Sequence, residues 1–489
     1  MRTSTLCVVR RKLENKAVII FTHKRHLLVV LLSCLLVVFP LRADSHRSSQ
    51  ESLSSIVKRY SSTLVLSVTD PLQGAVIFEH NAAKPVKPAS VLKIVTTLAL
   101  LKRYGPEHVF TTEILVDEVA KGVVRTLYVR GGGDPSLNLE EAWLIVRKLK
   151  QKGISRIDRL VLDDAAFDGE RDPVGTRAYQ TGSAALSFNY NSYGFTICPG
   201  DKKGSPAYVS ADPPESGIII ENNVGTTAGD HCGAAVVQGG DSRTFRVKGA
   251  IGVSSKCATY YRSVDDPPDY FGRTFLALLE GQGVKVPKQF SRANVPATAS
   301  LVMIHGSKPL KSILGDLNHF SNNFIGEQLL FLLGDSADVG EVAALPGRFR
   351  RSLGLRRLAE QITLLGYMKD QFVLADGSGL SHQNRLTARM LTDIFHYIEH
   401  DEAIRPEFED SLSVAFRSGT LKKREFEPSD LTLRAKTGTL DGVSALAGFL
   451  INRQGRKLSF AIIQNGVASK DKAVQVEDQI VKALYENSL

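Results

Sequence analysis

In Lys87-Pro88-Ala89-Ser90-Val91-Leu92-Lys93 a serine and a lysine stand three positions apart at the start of an apolar run that continues to Tyr104. At that spacing both side chains share one face of a helix. A serine hydroxyl is a weak nucleophile until a nearby base removes its proton, and a lysine amine can do so only when neutral. An unperturbed lysine is neutral in roughly four molecules per ten thousand at pH 7. Lys93 therefore has to be desolvated or placed beside a second cation. Ser-x-x-Lys also occurs at Ser55/Lys58 and Ser469/Lys472, but the setting of Ser90 differs. Pro88 precedes a helix start, and Ile94, Val95, Leu98, Leu100 and Leu101 make the segment apolar nearly all round, as in a helix buried in a core.

Two further groups carry chemistry. Lys436-Thr437-Gly438-Thr439, expected at a strand end, lines one edge with a cation, two hydroxyls and a backbone that Gly438 leaves open to close approach. A substrate carboxylate can be held there by the cation and the hydroxyls. Ser321-Asn322-Asn323 offers a hydroxyl and an amide ahead of an apolar helix; a helix N-cap is the plain alternative for Ser321. Ser136-x-Asn138 and Ser187-x-Asn189 share its spacing.

The elements that must position these groups are legible in the hydropathy pattern. A short helix from Leu53 to Tyr60 and strands Leu64 to Thr69 and Ala75 to His80 precede the Ser90 helix, which ends at Gly105. From there to about Pro296 short β-branched runs dominate, among them Val109 to Val116, Val123 to Arg130, Ile154 to Leu162 and Phe245 to Val253. Only Leu139 to Lys150 and Tyr270 to Gln282 read as helices in that block. Helical periodicity returns at Lys308 to Leu317, Asn322 to Leu333, Leu355 to Leu365 and Thr387 to His400. Strands Leu431 to Ala435, Ser444 to Asn452 and Lys457 to Asn465 follow, with a last amphipathic helix from Asp471 to Asn487. A sheet of strands from both chain ends, flanked by helices and interrupted by the β-rich block, is the expected α/β (α+β) architecture. The division is residues 1–43 as leader, 44–105 and 297–489 as the two parts of one domain, and 106–296 as the insertion.

The leader has basic residues up to Arg25, an apolar stretch from Leu27 to Phe39, and Pro40-Leu41-Arg42-Ala43 as its cleavage region. Thirteen apolar residues are short for a membrane span, so a cleavable signal and an exported protein are expected. The leader carries +7 of the formal +10 charge. No basic stripe remains in residues 44–489, which excludes a nucleic-acid binder. Cys7 and Cys34 fall in the leader; Cys198, Cys232 and Cys257 permit one disulfide, with Cys232–Cys257 preferred, and lack metal-binding spacing.

In their order along the chain, Ser90-x-x-Lys93, Ser321-x-Asn323 and Lys436-Thr437-Gly438 match the three-motif set of the penicillin-recognising serine enzymes. Five further segments sharpen the match: Gly133-Asp134-Pro135-Ser136-Leu137, Asp163-Asp164-Ala165-Ala166-Phe167, Ala185-Leu186-Ser187-Phe188-Asn189, Asp376-Gly377-Ser378-Gly379-Leu380-Ser381 and Lys436 to Leu440. From about residue 50 to its end the chain resembles the D-alanyl-D-alanine carboxypeptidase/endopeptidase family, the class C low-molecular-mass penicillin-binding proteins. The 231 positions between Ser90 and Ser321 fit the inserted domains of that family.

The resemblance implies a transpeptidase-type domain like that of penicillin-binding proteins and β-lactamases. It also implies acylation of Ser90 by the D-Ala-D-Ala end of a peptidoglycan stem peptide, with Lys93 as general base. Ser321 would relay protons to the leaving group, Asn323 would hold the substrate amide, and Lys436, Thr437 and Thr439 would bind the terminal carboxylate. The backbone N–H groups of Ser90 and Thr439 would form the oxyanion hole. Asp163, or failing that Asp164, would pair with the free ammonium of the diamino acid in the stem peptide; a solvated turn is the plain alternative. β-Lactams would act as covalent inhibitors, no cofactor or metal is implied, the location is periplasmic, and peripheral membrane association is compatible with the sequence. His382 stands where an arginine is expected, and Asp441 where a neutral residue is usual. Three rival readings are a β-lactamase, a non-catalytic peptidoglycan binder and a zinc peptidase. The last rests on His396-x-x-Glu399-His400 with Glu477 as a third ligand.

Overall fold

The computed structural model describes residues 52–167, 175–339 and 347–487; the leader lies outside them. Strands from the two ends of the chain build one six-stranded sheet. Its order is Ser413–Val414, Thr432–Leu440, Val443–Ile451, Lys457–Asn465, Leu64–Thr69 and Val76–His80, antiparallel throughout. At the central seam Leu64 pairs with Gln464 and Thr69 with Ser459, so residues 390 positions apart meet there.

Successive side chains of a strand point to opposite faces. Val65, Ala447, Phe449, Ala461 and Ile463 bury themselves under a helical layer that includes Lys93–Tyr104, Asn323–Leu333 and Ala388–Glu399. Leu64, Leu66, Val68, Leu446, Phe460 and Ile462 bury themselves on the other face, under Leu53–Arg59 and Lys470–Tyr485. Because both faces are covered, these strands read as unbroken apolar runs instead of alternating ones.

The middle of the chain has its own core, from Ile114 to Met303. One sheet there orders Phe290–Arg292, Arg156–Asp163, Val123–Arg130, Thr111–Val116 and Ser300–Gly306, with Val119–Ala120 paired to Val123–Arg130. Two three-stranded sheets join it: Ala235–Gln238, Thr244–Gly252 and Ile219–Thr227; and Ala258–Ser263, Ser192–Cys198 and Tyr208–Asp212. Since Ser300–Gly306 pairs with Thr111–Val116, this region continues past residue 296.

Several elements escaped the sequence reading. Tyr208–Asp212, Ala258–Ser263 and Ser300–Gly306 are mostly half-buried or exposed and carry polar residues, so they lack the apolar signal that marks a strand. The expected Cys232–Cys257 bridge is corrected: the disulfide joins Cys198 to Cys257, with Cα atoms 4.2 Å apart, and Cys232 is free. The reason is register. Ala258 pairs with Ile197 across two antiparallel strands, which brings the flanking Cys257 and Cys198 together, while Cys232 lies beside the Tyr260 hydroxyl.

Candidate active site

Ser90 sits in a tight turn, Ala89–Leu92, that runs directly into the Lys93–Tyr104 helix. Ala89 just before it holds a φ of +50°, an uncommon backbone state for a residue with a Cβ and one that concentrates at functional sites. Two glycines press on this turn. A Cβ on Gly379 would lie 2.1 Å from the Ala89 carbonyl oxygen, and one on Gly438 would lie 3.1 Å from the Pro88 carbonyl oxygen. At Gly379 only a residue without a side chain lets the 376–381 loop close on the serine turn, and at Gly438 a side chain would crowd it from the Thr432–Leu440 strand. Ser90 itself stays half-exposed.

Lys93 is completely buried. Its Nζ donates to Ser90 Oγ at 3.0 Å, Asn323 Oδ1 at 2.8 Å and the Ser378 carbonyl at 2.5 Å. Burial brings its pKa down to about 8, against the opposing pull of the Asp376 and Glu327 carboxylates. At pH 7 about one molecule in ten then carries the neutral amine that a general base requires. The Ser-x-x-Lys pair thus has its helix, its spacing and its desolvation. The other two copies do not: Ser469 caps the last helix by accepting from the Lys472 N–H, and Ser55 lies inside the first.

Lys436 is equally buried, and burial together with the neighbouring Lys93 charge holds its pKa well below the usual lysine range. Its Nζ donates to Ser321 Oγ and to the Thr437 carbonyl, both at 2.8 Å. Lys-Thr-Gly lies within the Thr432–Leu440 strand, not at its end as the pattern suggested. The N-cap role considered for Ser321 is corrected as well. Asn322 caps the Asn323–Leu333 helix by accepting from the Ile325 N–H, and Ser321, at φ +54°, is turned toward Lys436.

Ser90, Ser321, Asn323, Thr437 and Thr439 share the lining of one cleft of about 760 Å³. Tyr179 and Gln180 from the middle of the chain face it, and His382 and Asp441 stand exposed on its lips. Sequence reasoning missed several supports. Glu327 Oε1 accepts the Gly377 and Ser378 N–H groups at 3.2 and 2.9 Å, which fixes the carbonyl that Lys93 uses. Asp376 accepts from the Gly379 and Ser381 N–H groups and from Asn384 Nδ2, holding the loop in shape. Thr437 Oγ1 donates to Thr420 Oγ1 at 2.8 Å.

Asp163 is not brought to this cleft. It is 5 % exposed and its carboxylate accepts from the Val295 N–H at 2.9 Å, the Ala165 N–H at 3.2 Å and Arg130 Nε at 3.4 Å. The pairing with substrate that the resemblance implied is corrected: backbone N–H groups of Val295 and Ala165 enclose the carboxylate instead. Asp163→Asn is expected to lower unfolding free energy by about 1 to 3 kcal/mol, the range for a buried charge-assisted hydrogen bond. Denaturant titration checks the loss, and peptide cleavage and penicillin acylation should change by the same factor; a selective loss of peptide cleavage would contradict it.

The zinc-peptidase pattern comes apart in space. Glu399 is held by Lys457 Nζ at 2.5 Å, His396 Nδ1 pairs with the Pro71 carbonyl, and Glu477 is bound to Arg424 and Ser444. Among the described residues no three His, Cys, Asp or Glu side chains form a group that could hold a metal ion.

Known proteins are similar to this chain over most of its length. The profile of the D-Ala-D-Ala carboxypeptidase 3 (S13) family matches residues 50–487. A D-alanyl-D-alanine carboxypeptidase from Actinomadura sp. is 29% identical over 447 residues, covering 86% of this chain and 80% of the relative. The crystal structure of penicillin binding protein 4 (dacB) from Haemophilus influenzae superposes with a TM-score of 0.73 at 23% identity, over 89% of this chain and 98% of that one. A penicillin G acylated predatory endopeptidase from Bdellovibrio bacteriovorus shares the fold at a TM-score of 0.50 and 15% identity, over 86% of this chain and 91% of that one.

Proposed function

The chain belongs to the D-Ala-D-Ala carboxypeptidase 3 (S13) family and is a serine D-Ala-D-Ala carboxypeptidase of the penicillin-binding class; from that premise we propose that Ser90 carries the acyl-enzyme and Lys93 is its base. The observation that carries this reading is the buried Lys93 Nζ, 3.0 Å from Ser90 Oγ with its pKa brought down to about 8. Neutral Lys93 takes the hydroxyl proton as Ser90 Oγ attacks the carbonyl of the penultimate D-Ala. The oxyanion meets the backbone N–H groups of Ser90 and Thr439. Ser321, hydrogen-bonded to Lys436, passes a proton to the nitrogen of the departing D-Ala, and water then hydrolyses the ester. Thr437 and Thr439 present their hydroxyls to the terminal carboxylate. The buried Lys436 supports them with its field, and Asn323 serves both the substrate amide and Lys93.

The substrate is the stem peptide of peptidoglycan, cut at its terminal D-Ala or at the equivalent D-amino-acid cross-link, and a β-lactam enters the same cleft as a covalent inhibitor. The catalytic domain is assigned to the chain segments on either side of the middle region, whose own core reaches Met303 and whose sheet reaches Gly306. Export through a signal ending at residue 43 puts the mature enzyme in the periplasm. Among the described residues no helix is long and apolar enough to cross a membrane, and any membrane contact is assigned as peripheral.

The test is the pH dependence of D-Ala release from a D-Ala-D-Ala peptide. The working form of Lys93 is the deprotonated one, so kcat/KM should rise about tenfold per pH unit below about 8 and level off above it. A profile flat from pH 6 to 9 contradicts the assignment of the base. Muropeptide separation after digestion of sacculi apportions the carboxypeptidase and endopeptidase reactions.

A further inference from the structure

The Asn323–Leu333 helix has two working faces. Asn323 and Glu327, four positions apart and so one above the other, serve the site: one accepts from Lys93, the other holds the backbone of Gly377 and Ser378. Phe324, Gln328 and Phe331 follow the same helical spacing one residue later and form a second stripe, about 100° around the axis. That stripe meets the middle region of the chain. Phe324 packs edge-on against Tyr190 at 6.2 Å, and Phe331 stacks on Phe167 at 4.6 Å.

Between them Gln328, fully buried, uses both ends of its amide. Its Nε2 donates to the Gly133 carbonyl at 2.9 Å and the Ala184 carbonyl at 2.7 Å, and its Oε1 accepts from Ser187 Oγ at 3.2 Å. Two of the segments that carried the family resemblance, around Gly133 and Ser187, thus converge on one side chain of the helix that carries Asn323. The receiving loop is tightly built. Asn189, Tyr190 and Asn191 all hold positive φ, between +47° and +54°, and Asn191 Nδ2 donates to Ser187 Oγ at 3.0 Å. A strained turn persists only where its surroundings over-determine it. Here those surroundings present Tyr190 and Ser187 to the helix.

We propose that Gln328 is a positioning residue: through it the middle region fixes the rotation and height of the Asn323–Leu333 helix, and so the placement of Asn323 and the 377–378 backbone around Lys93. Gln328 touches neither substrate nor any reacting atom. This rests on the reading of Lys93 as the base, and it makes the middle region part of the catalytic apparatus.

The test measures penicillin acylation of the full mature protein against pH, for wild type, Gln328→Met, Ser187→Ala and Leu329→Ala. Gln328→Met keeps the volume and removes the three hydrogen bonds; Ser187→Ala removes one of them from 141 positions away. Leu329→Ala is the control for general destabilisation, since Leu329 is buried in the helical core and makes no polar contact with the middle region. The groups that face Lys93 are Lys436 from the strand, Glu327 from the helix and Asp376 from the loop, and none is altered. Loosening the helix admits water beside Lys93, so the midpoint of the acid limb should move upward toward that of a free lysine.

The expected result is a roughly tenfold or larger fall in acylation rate at pH 7 for Gln328→Met, with the midpoint raised by about one unit or more in proportion. A smaller shift in the same direction is expected for Ser187→Ala, and none for Leu329→Ala at matched thermal stability. The same midpoint in all four proteins would overturn the proposal, and Ser187→Ala alone keeps it testable if Gln328→Met does not fold. A wild type with no acid limb at all would instead remove the Lys93 reading beneath it.

Discussion

Ser90→Ala is expected to abolish covalent labelling by a fluorescent penicillin and to cut D-Ala release about ten-thousandfold or more, the scale seen when a nucleophile that works as part of a unit is removed. Nothing else on the cleft lining stands in its place. Ser321 shares the cleft, but its hydroxyl accepts from Lys436 Nζ at 2.8 Å and is held there. The Thr437 hydroxyl is bonded to Thr420. Because Ser90 is half-exposed within a turn and makes its side-chain bond to Lys93, its loss removes chemistry without opening the core. The thermal midpoint should stay within a few degrees of wild type. A Ser90→Ala protein that still labels would place the nucleophile elsewhere.

Lys93→Ala carries the second largest effect. The variant loses the base and also the donor that ties Ser90, Asn323 and the 378 carbonyl to one point, so acylation should slow by at least about a hundredfold. Two opposing stability effects accompany it. A buried amine no longer has to be desolvated, while a cavity opens at the start of the helix; each is of a few kcal/mol, so the protein should still fold. Stopped-flow acylation at pH 7 and at pH 9 distinguishes the base from a mere anchor. Wild type gains about tenfold between these values, whereas Lys93→Ala should lose that dependence. Retention of the full pH rise in the variant would move the base to Ser321 assisted by Lys436.

Much of this site was legible from spacing. The Ser90 to Lys93 interval and the apolar run behind it described a buried helix, and the helix is there with both side chains in hydrogen-bond contact. The three motifs line one cleft because each borders or lies in a regular element whose periodicity is written in the chain. What stayed hidden depended on long-range packing. Glu327 and Gln328 are two consecutive polar residues inside an otherwise apolar helix, which was a signal of buried partners, but those partners lie 50 to 195 positions away and no local pattern names them. Cys232 was preferred over Cys198 as the partner of Cys257 because strand register, not cysteine spacing, decides the pair. Asp163 was singled out by resemblance, and nothing local shows that the Val295 backbone closes over it. The edge strands of the middle region were missed since their side chains are polar and their order comes from backbone pairing alone.

The central claim is that Ser90 is the residue acylated, and site mapping tests it most directly. The purified mature protein is trapped with benzylpenicillin, digested, and its peptides are sequenced by tandem mass spectrometry. A single penicilloyl adduct is expected on the peptide that contains Ser90, with the fragment ions placing the added mass on that serine. An adduct on Ser321 or on any other residue, or unmodified Ser90 in protein whose D-Ala release penicillin has blocked, would contradict it.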